Sequence, residues 1–379
     1  MKERNSGIDL LKILCMFMVV ILHILGHGGI LNTAIDLTLN DTVAWFIEIL
    51  CYCAVNTFAM ISGYLCIKSN FKYKNVINLW ILVFFYNVLI NLIFNGLDIK
   101  LFIKSLFPVS TNSHWYFSSY FGFILFIPFI NKWLNSLSKF EYKKLIYTIL
   151  FVTCGVCFYS SVYNVDAIKL FNGYSSVWLL CLYIIGGYIN LFDFKFKHHT
   201  KLCYFLLYML SSFIMLLSRI IILKFSFLNE LLYSSFFINY ISIFVVFNSY
   251  VLLLLFLKVR VNTILKKILS FITNLSFSVY IIHEQNFIRS YFIENQFMGF
   301  VSLDIFRMVF MILYTGIIIY VLCTIIDVFR YYLFKLFKVD IFSSWLDKKI
   351  MCLLTKKGWH AHFFIVSLFT RRERNGNKN

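Results

Sequence analysis

Residues 7–27, GIDLLKILCMFMVVILHILGH, carry four ionisable groups in an otherwise apolar stretch: Asp9, Lys12, His23 and His27. Read as an α-helix, the eleven-residue step from Lys12 to His23 is close to three turns. Both side chains then project from one face, about 16 Å apart along the axis. Asp9, three residues before Lys12, and His27, four after His23, keep to that face. The chemistry open to such a stripe is proton transfer by an imidazole and anion contact by an ammonium. A competing reading makes Asp9 and Lys12 an interfacial pair that holds each other or lipid head groups. His23 lies deeper, where an ionisable group is costly and points to function.

Other polar residues recur in the same kind of setting. Glu48 and Asn56 share a second apolar run, His114 precedes Trp115 and Tyr116, and His283 and Glu284 close a late run. Imidazoles beside carboxylates suit general acid–base work near neutral pH. Plainer readings stand beside these: a His next to Trp is often an interfacial anchor, and Glu284 reads equally as water-facing. Ten Cys lie mostly within apolar runs. Cys154 and Cys157 have CxxC spacing with no second pair, so they read as apolar-facing thiols and no metal site is expected.

The elements that must position these groups are membrane helices. Hydrophobic residues make up 61% of the 379 residues and charged residues 14%, against roughly 45–50% and about 25% in soluble domains. The chain divides into ten apolar segments near the ~20 residues a spanning helix needs: 8–27, 43–66, 76–96, 115–131, 145–163, 174–192, 202–223, 235–257, 270–288 and 306–328. The expected fold class is an all-α integral membrane protein of about ten transmembrane helices. The first run has no small-residue cleavage site before the next span and reads as a helix rather than a signal peptide.

Of the 35 Lys and Arg, 28 fall in the termini and alternate loops, which makes that side, with both termini, cytoplasmic. The formal charge of +18 then reflects basic loops against an anionic leaflet, and no nucleic-acid partner is expected. Residues 1–328 read as the helical domain and 329–379 as a basic cytoplasmic tail. The stretch 350–370, with Lys356, Lys357, His360 and His362, is expected to lie on the membrane surface. With this orientation His23, His27, Glu48, His114, His283 and Glu284 gather toward the outer side, where one cavity can hold them.

These residues form motifs. GIDLLK (7–12) followed by VVILH (19–23), NTFAMISGY (56–64), HWYF (114–117) and SFSVYIIH (276–283) together resemble, in order, the signatures of the membrane-bound acyltransferase-3 family, which O-acylates cell-surface glycans. The resemblance spans roughly residues 5–330. It implies an O-acyltransferase of the plasma membrane that takes a short acyl group, most often acetyl, from cytoplasmic acyl-CoA. Acetyl-CoA is then a substrate, with no bound cofactor, and the acceptor is a surface polysaccharide or lipid-linked sugar.

On that resemblance His23 serves as general base or acyl carrier. His283 and His114 orient or protonate, and Glu48 fixes an imidazole tautomer. Lys12, Asp9, Lys72 and Lys74 fall to the donor, and Asn56, Ser62, Trp115, Tyr116 and Glu284 to the acceptor. The chain departs from the family where an Arg-x-x-Arg pair is common, at the start of the third helix: residues 70–80 read NFKYKNVINLW. A transporter or flippase of a polysaccharide is the alternative that charged membrane cavities also allow.

Overall fold

The computed structural model describes residues 4–163, 165–192 and 200–353. Among them every regular element is helical. This is the form a chain must take when lipid offers its backbone no hydrogen bonds. The helices that position the site are α1 (Ser6–Leu25), α2 (Leu39–Tyr52), α3 (Ala54–Cys66), α4 (Tyr73–Asn95), α5 (Trp115–Ile124), α6 (Ile127–Ser136), α7 (Lys139–Leu150), α8 (Ser176–Leu191), α9 (Lys201–Lys224), α10 (Ile243–Leu257), α11 (Thr263–His283) and α12 (Ile305–Leu336).

Seven helical stretches are long and apolar enough to cross a membrane, or eight if α5 and α6, bent by 59°, form one span. The two remaining expected spans are α8 and α10, of 16 and 15 residues. At 1.5 Å per residue these reach about 24 and 22 Å, short of a hydrocarbon core of about 30 Å. The last helix continues through residue 328 to Leu336, and residues 339–353 are again helical. The segment expected to lie on the membrane surface falls mostly outside the described residues, as do Lys195 and Lys197. Cys154 and Cys157 are buried free thiols in a π-helical stretch that continues α7.

α1 is the central helix and touches α2, α3, α10, α11 and α12. Its buried positions include Leu11, Cys15, Val20, Ile24 and Leu25, so its polar groups also face protein. α3 and α8 meet backbone to backbone. A Cβ at Gly63 would lie 1.9 Å from the Tyr183 carbonyl oxygen, and one at Gly186 would lie 1.9 Å from that of Met60. Small residues let membrane helices approach this closely, and Gly63 is the glycine of the ISGY motif. A second tie joins α9 to α2. The buried Arg219 donates two hydrogen bonds to Asp41, at 2.8 and 3.1 Å, and one to Asp36 at 2.8 Å, with the Trp45 ring 4.4 Å away. A buried guanidinium is tolerable only with such partners.

Candidate active site

A cavity of about 340 Å³ opens between α1, α2, α3, α5 and α11, with Tyr174 and Tyr240 completing its wall. His23, His27, Glu48, Trp115, Tyr116 and Glu284 line it. The end of α11 builds the reactive corner. The helix stops at His283, and the Glu284 N–H still bonds the Tyr280 carbonyl. Gln285 then caps a short helix, Asn286–Phe292, through its side-chain oxygen. That turn brings Arg289 back onto Glu284, Nη1 to Oε1 at 2.6 Å.

The ring nitrogens fix one another's protonation. His283 Nδ1 bonds the Val279 carbonyl oxygen, which only accepts, so Nδ1 carries the proton. In the neutral ring Nε2 is then an acceptor. It lies 2.8 Å from His23 Nδ1, so His23 Nδ1 must donate. The free lone pair of His23 is therefore on Nε2, on a ring that lines the cavity. Glu284 Oε2 lies 3.1 Å from His23 Nδ1 yet makes no hydrogen bond. It is placed to stabilise a charged imidazole by its field rather than to take the proton. The more exposed His27 has its Nε2 3.7 Å from Glu284 Oε1.

His23, His27 and Glu284 present ligand-type atoms within 4.8 Å of one another. Arg289 occupies Glu284 Oε1 and His23 Nδ1 points at His283 Nε2, which leaves His23 Nε2 and Glu284 Oε2 as the atoms open to a further partner.

The opposite wall is aromatic and acidic. Tyr52 stacks on Tyr240 with centroids 4.7 Å apart, and Tyr174 sits 4.4 Å from Trp115 and 5.1 Å from Tyr240. Glu48 is buried at the cavity with Oε2 unpartnered. Two carboxyl oxygens, on Glu48 and Glu284, are thus buried without a hydrogen-bond partner. Such groups are costly unless something fills them. The Tyr116 N–H, near the start of α5, bonds the Tyr280 hydroxyl oxygen at 3.4 Å. The Tyr280 O–H itself is left to donate.

Three sequence-derived candidates stand behind the cavity wall. His114 Nε2–H donates to the Ile281 carbonyl at 3.0 Å, and Nδ1 lies 3.1 Å from the Ser113 hydroxyl, which donates to it. The Ile281 carbonyl is one of the last of α11, which have no helical partner, so His114 caps the helix that carries His283. Asn56 donates to the Tyr240 carbonyl at 2.8 Å and accepts from Trp178 Nε1 at 3.1 Å, fixing the aromatic wall. Ser62 donates to the Phe58 carbonyl at 3.1 Å.

The donor candidates lie elsewhere. Asp9 is held by Arg4 through two bonds of 2.6 and 2.9 Å rather than by Lys12. Lys12 is on α1 about three turns from His23. Lys72 is exposed at the start of α4, and Lys74 Nζ is bound to Asp340 Oδ2 at 2.5 Å.

Sequence reasoning missed Arg289 and the tyrosines 52, 174, 240 and 280. Arg289 is one of the seven Lys and Arg that fall outside the termini and the alternate basic loops. Tyr280 stood inside the late SFSVYIIH motif, three residues before His283, and that i,i+3 spacing was the available signal. Nothing local marks Tyr174 or Tyr240.

No characterised protein and no solved structure matches the chain. A family model described as an acyltransferase domain, Acyl_transf_3, matches residues 5–330, which takes in α1 to most of α12 and every residue of the cavity. The chain is a helical membrane protein of the acyltransferase-3 family, and an acyltransferase.

Proposed function

We propose that the protein moves an acetyl group from acetyl-CoA to a hydroxyl of a surface polysaccharide or lipid-linked sugar at the plasma membrane. The observation that carries this reading is the free Nε2 lone pair of His23 in a cavity with two unpartnered carboxylate oxygens. His23 Nε2 takes the hydroxyl proton as the sugar oxygen attacks the thioester carbonyl. The carbonyl oxygen gains the charge, with the Tyr280 hydroxyl as its donor. Collapse breaks the C–S bond, and the CoA thiolate takes the proton back from His23. Glu284, steadied by Arg289, favours the imidazolium that exists between these steps, the role a buried carboxylate plays beside a catalytic histidine.

A sugar suits the opposite wall. Aromatic faces cover its C–H surfaces, and its hydroxyls supply the donors that Glu48 and Glu284 lack. With the basic loops cytoplasmic, this cavity faces the outer half of the membrane, and the acceptor is then extracytoplasmic. The test uses purified protein in nanodiscs with acetyl-CoA and isolated surface glycans. Acceptor-dependent release of free CoA, matched by ester-linked acetyl on the glycan, is the expected result. Glycan movement across vesicles without CoA release would favour a transporter instead.

A further inference from the structure

The proton path runs through His23, with Glu284 and Arg289 beside it, and leaves out Glu48. That side chain is 8% exposed, lines the cavity, and has Oε2 without a hydrogen-bond partner. It makes no ion pair among the described residues. Tyrosines aside, the ionisable lining is His23, His27, Glu48, Glu284 and Arg289. Arg289 is paired with Glu284 at 2.6 Å. With both imidazoles neutral, one negative charge is left over, and it belongs to Glu48.

The surroundings of Glu48 are aromatic. Tyr52 follows it by one turn of α2, on the same face. Glu48 lies close enough to Tyr52, Tyr174 and Tyr240 to act on their hydroxyls electrostatically. Tyr240 links the group: its ring is 4.7 Å from Tyr52, 5.1 Å from Tyr174 and 6.1 Å from Trp115. Tyr240 is buried, whereas Tyr174 is exposed and gives the group its open edge.

Three demands meet here. The oxygen lacks a donor, the charge lacks a counter-ion, and the aromatic faces attract cations through their quadrupoles. A sugar C–H surface answers only the rings, and a hydroxyl answers only the oxygen. A buried carboxyl keeps a proton or meets a cation. An ammonium group supplies the N–H donor, the positive charge and the partner for the rings together.

We propose that the acceptor is an amino sugar, its free amine seated as an ammonium on Glu48 among Tyr52, Tyr174, Tyr240 and Trp115. The proposal rests on the acyl-transfer reading above and adds the chemical class of the acceptor. It also sets which atom is acylated. An ammonium nitrogen has no lone pair and does not attack a thioester. The hydroxyl whose proton His23 Nε2 takes forms the ester bond as the C–S bond breaks, and the ammonium leaves on the product unchanged.

The site is tested without turnover by methylammonium, titrated into full-length protein in nanodiscs against sodium at equal ionic strength. Saturable change in tryptophan fluorescence is the expected result. Glu48→Gln keeps the shape without the charge and should weaken the binding at least about tenfold, the scale of breaking a buried charge pair. An equal response to sodium, or undiminished binding by Glu48→Gln, would overturn the site.

The acceptor is tested with isolated surface glycan before and after aqueous N-acetylation, which caps amines and leaves hydroxyls. Wild-type transfer at limiting glycan should fall at least about tenfold on capping, because the buried carboxyl is left unpaired. Glu48→Gln should raise KM for the free-amine glycan and treat the two glycans alike. The product acetyl should be a hydroxide-labile ester. Equal wild-type transfer to both glycans would overturn the ammonium while leaving the acyltransferase reading intact, and an amide product would overturn the protection of the amine. A Glu48→Gln protein that still prefers the free-amine glycan would overturn the role of Glu48. No CoA release with either glycan would overturn the acyltransferase reading, and methylammonium binding then decides the site by itself.

Discussion

His23 Nδ1 and His283 Nε2 lie 2.8 Å apart across 260 residues of sequence. Because the other nitrogen of His283 is committed to a backbone carbonyl, this contact sets the tautomer of His23 and leaves the lone pair on its Nε2. An imidazole that is to take up a proton through Nε2 needs that orientation, much as a buried partner holds the imidazole of a catalytic triad. The contact joins the first helix to the end of α11, so the pair exists only when those two helices are docked.

His23→Gln keeps a hydrogen-bonding side chain but cannot take up a proton. Acetyl transfer per folded protein should fall at least about 10²-fold, the scale of losing a general base. His23→Ala should be equally inactive, and both variants should reach the membrane in normal amounts. A His23→Gln protein that retains substantial activity would remove His23 from the chemistry.

Glu284→Gln preserves shape and removes the charge beside His23 Nδ1 and Arg289. Transfer should drop by more than about tenfold through the rate at saturation, since the carboxylate acts on the imidazolium formed during reaction. CoA affinity should be unchanged. Single-turnover measurements with excess enzyme read the effect directly; a change confined to acceptor affinity would make Glu284 a binding group only.

His114 should behave differently from both. Its ring caps the end of α11 and accepts from Ser113, so His114→Phe leaves a buried carbonyl without its donor. The expected cost is about 1–3 kcal/mol of stability, seen as a lower melting temperature in detergent. Activity per folded molecule should fall less than tenfold, and His114→Gln should restore much of the stability. Complete inactivity in a fully folded His114→Gln protein would place the ring in the chemistry after all.

Gly63→Ala tests the packing that brings α3 against α8. The added Cβ meets the Tyr183 carbonyl oxygen at 1.9 Å, and that atom is backbone and cannot rotate aside. The helices must separate, so folded protein recovered from membranes should fall sharply, whereas Gly96→Ala, with open space around it, should be far milder. Equal recovery of both would show that the two helices tolerate a wider spacing.

Orientation is tested by single cysteines in a cysteine-free background. Thr111→Cys and Ser136→Cys sit at exposed positions. The first should label from outside intact cells and the second only after permeabilisation. The reverse pattern would invert the chain in the membrane and move the His23 cavity to the cytoplasmic half.

The sequence by itself determined the class of fold and the central helix. Apolar runs of spanning length force helices in lipid, and the 3.6-residue period places Lys12 and His23 on one face wherever α1 goes. Both are local rules. The four motifs likewise marked where His283, Trp115 and Tyr116 sit along the chain. Which of these meet is not local. Only docking of α1 against α11 brings His23 to His283, while packing of the start of α5 on α11 turns His114 to cap a helix and packing of α3 on α8 commits Asn56 to Tyr240 and Trp178. Tyr174 and Tyr240 come from connections between helices, where no period constrains direction, and Arg289 reaches Glu284 through a turn set by Gln285. Lys74 was read as free for a ligand until residues 339–353 folded back and supplied Asp340. The types and depths of these groups follow from composition and periodicity, but their partners follow from how helices pack, and that depends on side-chain shape across the whole bundle.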